Sequence, residues 1–312
     1  MQVFSPFRLA PYFRTRIWGF NNLSPWFDYK TDGEPIGEVW LTGEMCAAET
    51  GPLAGVSLKE ITSANGEALL GHGRAGEEFP LLIKILFPKE KLSVQVHPDD
   101  LLAQKYGEPR GKTECWYALD AQPGAEVALG IKSGTGPEQV RSAIEGSRLE
   151  ELLTWLPVDK GDMIFVDAGT VHAIGPGAVL LETQQTSDLT YRMYDYGRPR
   201  ELHLDKSLEA MRLATGSGKI APHTVNGHSV LIDQKYFRIE RWRETLPTAE
   251  NALADVVQLV FAVEGKLRIE GQNFESFPLD RCQLAVIPAD ARDWKVTAEG
   301  AAEVIRILPQ SN

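Results

Sequence analysis

Short apolar or alternating runs, punctuated by proline and glycine, dominate the chain. The first are 36–46 (IGEVWLTGEMC), 79–97 (FPLLIKILFPKEKLSVQVH), 113–119 (TECWYAL) and 125–131 (AEVALGI). Such runs predict strands. Between Gly136 and Leu156 the period changes: Val140, Ile144, Leu149, Leu152 and Leu153 follow helical spacing, interrupted at Gly146. Strands resume at 162–166 (DMIFV), 178–185 (AVLLETQQ) and 190–196 (TYRMYDY). A short helix is expected over 207–214 (SLEAMRLA), and TGSGK at 215–219 is the best linker candidate. A second all-β run follows, at 236–242, 256–265, 266–271, 282–288, 294–300 and 302–308. Many short strands at regular spacing predict a sandwich or barrel, twice over. The expected architecture is mainly β in two lobes, 1–215 with a helical insertion around 136–156, then 220–312.

Composition narrows the classes. The 312 residues allow one large domain or two moderate ones, and 43% hydrophobic with 24% charged residues is an ordinary globular balance. A net charge of −11 argues against nucleic acid or an anionic membrane as partner, because long-range repulsion opposes both. Any phosphate-bearing ligand must be attracted by a few local cations. The cysteines Cys46, Cys115 and Cys282 are far apart and form no CxxC pair, which excludes a disulfide framework or zinc finger. The first twenty residues hold no long apolar core of a signal peptide, and LLIKIL (81–86) falls far short of a membrane span. A cytoplasmic location is the expectation.

Three segments carry candidate chemistry. In KLSVQVHPDD (91–100), strand alternation puts Ser93, Gln95 and His97 on one face, and Pro98 ends the strand. Taken alone, this tripeptide also fits an ordinary strand facing solvent. In RGKTECWYAL (110–119), Lys112, Glu114 and Trp116 share a face while Cys115 points away as a small core residue. GEPRGKT (107–113) is no phosphate-binding P-loop, since it has three residues between its glycines and precedes a strand. In KGDMIFVDAGTVHAIGPG (160–177), Gly161 opens a strand, a tight turn forms around Asp167-Ala168-Gly169, and His172 returns on the next strand. This spacing resembles the second conserved motif of the cupin superfamily, with Asp167 in the usual proline position. Together Gln95, His97, Glu114 and His172 offer two imidazoles, a carboxylate and an amide oxygen with no thiolate. That set suits a catalytic zinc with an open position, though other divalent metals also bind N/O sites. His72, His203, His223 and His228 lack such contexts and read as surface or loop residues.

The succession QVHPDD, GKTECWY, GTVHAIG and QQTSDLTYRMYDYGR resembles the signatures of the short bacterial mannose-6-phosphate isomerases. RIWGF (16–20), GEVWLTGE (37–44) and FPLLIKIL (79–86) also resemble that family, although Phe20 stands where a second glycine is usual. The similarity spans about 10 to 205 and, more loosely, the rest. It implies two cupin-like (jelly-roll) β-barrel lobes, the second degenerate because the last histidine is His228. It further implies one Zn2+ per chain on Gln95, His97, Glu114 and His172, with Arg192 as catalytic arginine, either a fixed charge near the enediolate or a planar fork gripping the phosphate. Lys112 and Ser93 become polar residues of a hexose phosphate pocket. The implied reaction is aldose–ketose isomerisation between mannose 6-phosphate and fructose 6-phosphate through an enediol(ate). Lys112, if burial lowers its pKa, or a metal-bound water would carry the proton. The rivals are a non-catalytic sugar-binding cupin, which loss of Lys112 or Arg192 would favour, and an oxygen-using iron cupin, which Gln95 argues against.

Overall fold

The computed structural model of the protein describes residues 4–29 and 31–310. The chain is mainly β, in three antiparallel sheets. A seven-stranded sheet runs in the order Gly218–Ile220, Met163–Val166, Glu114–Ala121, Ala178–Gln185, Leu81–Leu86, Ile36–Trp40, Tyr12–Phe20. A five-stranded sheet runs Tyr191–Tyr194, Val94–Val96, His172–Ile174, Glu126–Ile131, Leu153–Pro157. The third, eight-stranded sheet gathers the strands from His223 onward and is joined at its edge by Phe7–Leu9, where Phe7 pairs with Val286.

The alternation of Glu114–Ala121 shows how the sheets pack. Cys115, Tyr117 and Leu119 enter a core shared with Phe261, Val286 and Ile305 of the eight-stranded sheet. Trp116 and Ala118 point the other way, into a core with Val127, Leu129 and Ile174 of the five-stranded sheet. The seven-stranded sheet therefore lies in the middle and is apolar on both faces, which is why LLIKIL is buried throughout. Its face toward the five-stranded sheet also carries the charged residues described below.

Several elements depart from the sequence pattern. The helical stretch divides into the helix Pro137–Glu145 and a 3-10 turn Leu149–Leu152, after which Leu153–Pro157 is a strand. The leucines from 149 to 153 satisfy either period, and the edge of the five-stranded sheet decides. The strand beginning at Ile36 stops at Trp40. The short helix lies at Leu204–Ala210. Within the candidate linker, Gly218 and Lys219 begin a strand in which Lys219 pairs with Ile164. The pairs of strands expected at 256–271 and 294–308 are single long strands, Gln258–Glu270 and Lys295–Pro309, with register shifts near Glu264 where Gly265 takes φ +103°. A helix that the pattern did not announce, Leu58–Leu70, starts at a capping box between Ser57 and Glu60.

Candidate metal centre and the cavity above it

Three segments bring the ligand candidates together. Val94–Val96 and His172–Ile174 are neighbours with Gln95 opposite His172, and Arg192 lies opposite Gln95 on the other side. His97 follows the first of these strands. Glu114 opens its strand on the middle sheet, paired with Gln184 and Val166. Two backbone bonds tie the segments: Lys112 N–H donates to Pro98 O (3.0 Å) and Gly169 N–H to His97 O (2.8 Å). The approach at Gly111 is so close that a Cβ there would sit 2.4 Å from the Asp99 carbonyl carbon and from Pro98 O. Gly169 holds φ +86° in the turn before His172, the conformation the Gly-x-x-His spacing calls for.

His97, Glu114 and His172 each are 1% exposed, with ligand atoms all within 4.8 Å of one another. His97 Nε2 lies 3.5 Å from Glu114 Oε2, and His172 Nε2 lies 3.4 Å from Glu114 Oε1. Each imidazole is oriented by its other nitrogen: His97 Nδ1 meets Leu189 O at 2.8 Å and His172 Nδ1 meets Thr170 O at 2.9 Å. A carbonyl only accepts, so both Nδ1 atoms carry the proton and both Nε2 lone pairs face Glu114. Burial holds the His97 imidazole well below its ordinary pKa, aided by the Lys112 charge, and lowers His172 to about 4. Both rings are neutral at pH 7, the state a metal requires. His97 Nε2 and Glu114 Oε1 are buried with no hydrogen-bond partner. Such orphaned atoms are costly unless something fills the space between them. Gln95 completes the group. Its amide N–H lies 3.2 Å from His172 Nε2 while Ser93 Oγ donates to its oxygen (3.2 Å), and half a turn of the amide exchanges the two atoms. The donor set fits a divalent ion.

Lys112 is 4% exposed, with Nζ 2.9 Å from Glu114 Oε2. Burial acts on it in the direction expected from the sequence. The carboxylates of Glu114, Glu182 and Asp188 outweigh that effect and leave its pKa raised. In the protein alone Lys112 is therefore a fixed cation. Arg192, half-buried, donates to Glu201 O (2.8 Å), forms no carboxylate ion pair among the described residues, and keeps a buried Nε without partner. Burial and the neighbouring Arg200 both press its pKa down.

Sequence reasoning missed the rest of the site. A cavity of about 460 Å³ is lined by Gln95, Lys112 and Arg192 together with Lys84, Glu182, Asp188, Arg16, Glu38 and Arg200. Lys84, 2% exposed, lies 3.3 Å from Glu182 and 3.5 Å from Asp188, and Trp116 Nε1 donates to Glu182 (3.1 Å). Burial and Glu114 raise the Glu182 pKa against the pull of Lys84 and Lys112. A lone lysine inside LLIKIL was the available signal, since a charge in a buried run requires a partner. His228 was misplaced as a surface or loop residue. It is 9% exposed, begins a strand, and stacks on Trp242 at 4.2 Å. His203 donates no ligand atom to the centre; its Nδ1 accepts from Arg192 N–H (3.1 Å).

Comparison with known proteins places these features in context. Residues 6–133 match the family model for the phosphomannose isomerase type I catalytic domain. A mannose-6-phosphate isomerase of Streptococcus mutans is 33% identical over 318 residues, covering 96% of this chain and 97% of the relative. The crystal structure of the mannose 6-phosphate isomerase from Bacillus subtilis superposes with a TM-score of 0.86 at 31% identity, covering 97% of this chain and 99% of that one. A mannose 6-phosphate isomerase structure bound with zinc and yttrium shares the fold, with a TM-score of 0.78 at 17% identity.

Proposed function

The chain belongs to the type I phosphomannose isomerase family, and from that premise we propose how its site works. It is an isomerase that interconverts mannose 6-phosphate and fructose 6-phosphate. The observation that carries the mechanistic reading is the buried cluster His97–Glu114–His172 with its unpartnered Nε2 and carboxylate oxygen. Those three residues with Gln95 hold one divalent ion, zinc by the chemistry of the donor set and the zinc-bound structural relative. Such an ion supplies Lewis acidity toward the C1 and C2 oxygens of the open-chain sugar and brings no redox chemistry when it is zinc.

The chain's own groups do the rest. Arg192, beside Gln95 and in no carboxylate ion pair among the described residues, places a fixed positive charge where the enediolate's negative charge develops. Lys112 holds Glu114 and presents its ammonium to the same region, while Ser93 orients the Gln95 amide. Lys112 becomes a proton carrier only once Glu114 is engaged elsewhere, since in the free protein Glu114, Glu182 and Asp188 keep it charged. Basic Arg16, Lys84, Lys112, Arg192 and Arg200 are matched by Glu38, Glu114, Glu182, Asp188 and Asp195. An added divalent ion thus gives the cavity the surplus charge of a phosphate dianion, despite the chain's net −11. The chemistry lies within 1–215, and the region 220–312 is structural. Three free, buried cysteines fit a reducing cytoplasm.

The test is substitution of the two cations. Arg192→Lys and Lys112→Met should retain metal and fold yet lose turnover on the order of a hundredfold, as removal of a preorganised charge typically does. Lysine rescues poorly at 192 because it lacks the planar fork. Near-normal turnover in both variants would return the reading to a binding module.

A further inference from the structure

We infer that Arg16 is the residue that reads the substrate's phosphate, a specificity-determining contact at the end of the cavity away from the metal ligands. The inference rests on the isomerase reading. If the sugar's C1 and C2 oxygens sit between the metal ligands and Arg192, the phosphate lies four carbons further along and needs its own cation.

Arg16 is placed and prepared for that role. Its strand, Tyr12–Phe20, is the edge of the seven-stranded sheet, four strands across from the one that carries Glu114. The Arg16 side chain is 24% exposed, whereas that of Lys112 is 5% and that of Glu114 1%, so solvent reaches Arg16 more readily than the ligand candidates. A hydrated dianion enters most cheaply there. Glu38 clamps the guanidinium side-on: Nε donates to Oε1 at 2.7 Å and an η-nitrogen to Oε2 at 3.0 Å. The other η-nitrogen donates to Thr15 O at 3.2 Å. Each η-nitrogen carries a second N–H beyond these bonds, and an arginine's paired N–H donors match two phosphate oxygens.

Glu38 is itself fixed. It is 8% exposed, accepts from Trp40 Nε1 at 2.7 Å, and stays ionised because Lys84 and Arg16 overcome its burial. The fork is therefore rigid before ligand arrives, which saves the ordering cost that a free arginine would carry. Arg200, held in the same manner by Asp195 at 2.7 and 2.6 Å, lines the same cavity as a second clamped cation but neighbours Arg192. Arg192, adjacent in register to Gln95, is left to the reacting carbons.

The experiment is steady-state kinetics with mannose 6-phosphate, alongside calorimetric binding of glucitol 6-phosphate to zinc-loaded protein. Arg16→Leu should raise KM and weaken glucitol 6-phosphate binding by roughly ten- to a hundredfold, the worth of charged hydrogen bonds. Turnover at saturation and zinc content should stay near wild type. Arg16→Lys should recover part of the loss, and Glu38→Gln, which loosens the clamp, should raise KM less than Arg16→Leu does. Unchanged KM and binding in folded Arg16→Leu overturns the inference, as does a fall in turnover number without a rise in KM. Should Arg16→Leu fail to fold, wild-type KM and binding in Arg16→Lys together with Glu38→Gln overturns it equally. Wild-type protein that binds glucitol 6-phosphate through Arg16 but never converts mannose 6-phosphate sinks the isomerase reading and leaves the phosphate contact standing.

Discussion

At the proposed metal ligands, two ring nitrogens divide the work: Nδ1 of His97 and of His172 anchors to a backbone carbonyl, and Nε2 faces Glu114 where an ion would sit. Removing either ring should therefore abolish metal binding. His97→Ala and His172→Ala are each expected to release zinc, measured by elemental analysis after gel filtration, and to lose turnover with it. The neighbouring thiol gives the contrast. Cys115 is fully buried in the core on the opposite face from Glu114. Cys115→Ala should keep its metal and cost roughly 1–2 kcal/mol of stability, as modest core truncations do; a folded variant without zinc would show that the strand runs out of phase at Glu114. Glu38 provides the pH dependence. Its carboxyl is lowered from 4.5 to about 2, so it contributes stability that is present above 4.5 and is lost as pH falls toward 2. Thermal melts across that window should show a shallower acid loss in Glu38→Gln than in wild type, and parallel curves would mean that Glu38 is not held ionised by Arg16 and Lys84.

Between residues and sheets, the decisive features are the two close passages that join the ligand segments. Gly111 lies against the Pro98–Asp99 backbone, and Gly169 turns the chain so that His172 returns to Gln95. Gly111→Ala must push the Glu114 strand away from His97, because the obstacle is backbone and cannot swing aside. Its predicted effect is weaker zinc affinity by at least tenfold in a chelator competition, with the β-rich circular dichroism retained; wild-type affinity would contradict the account. The fold brings the candidates Gln95, His97, Glu114 and His172 to one place, and as a set they were legible from strand alternation, the Gly-x-x-His spacing and the family resemblance together. Lys84, Glu182, Glu38 and Arg16 were not. Their partners lie on other strands, and pairing register between distant strands is invisible in a single sequence. The helix Leu58–Leu70 escaped for another reason, since Asn65 and Gly66 interrupt its apolar period and only the capping box marks its start.

For the molecule as a whole, mainly β architecture and its strand-rich ends could be read from the run of short apolar segments. What could not be read is that Phe7–Leu9 crosses to the eight-stranded sheet and that one core joins residues from Phe7 to Ile307. Long-range closure of this kind leaves no local trace in the pattern. Among the described residues no helix is long and apolar enough to cross a membrane, and the His97–Glu114–His172 cluster that could hold a metal draws on the first part of the chain alone. The central claim is that one divalent ion on His97, Glu114, His172 and Gln95 makes this chain an isomerase. The direct measurement is to strip the protein with a chelator, titrate zinc back, and follow bound metal together with conversion of mannose 6-phosphate to fructose 6-phosphate. The account predicts no conversion in the stripped protein and activity rising linearly to a plateau at one ion per chain. Full conversion by metal-free protein, or a plateau reached only at two tightly held ions, would contradict it.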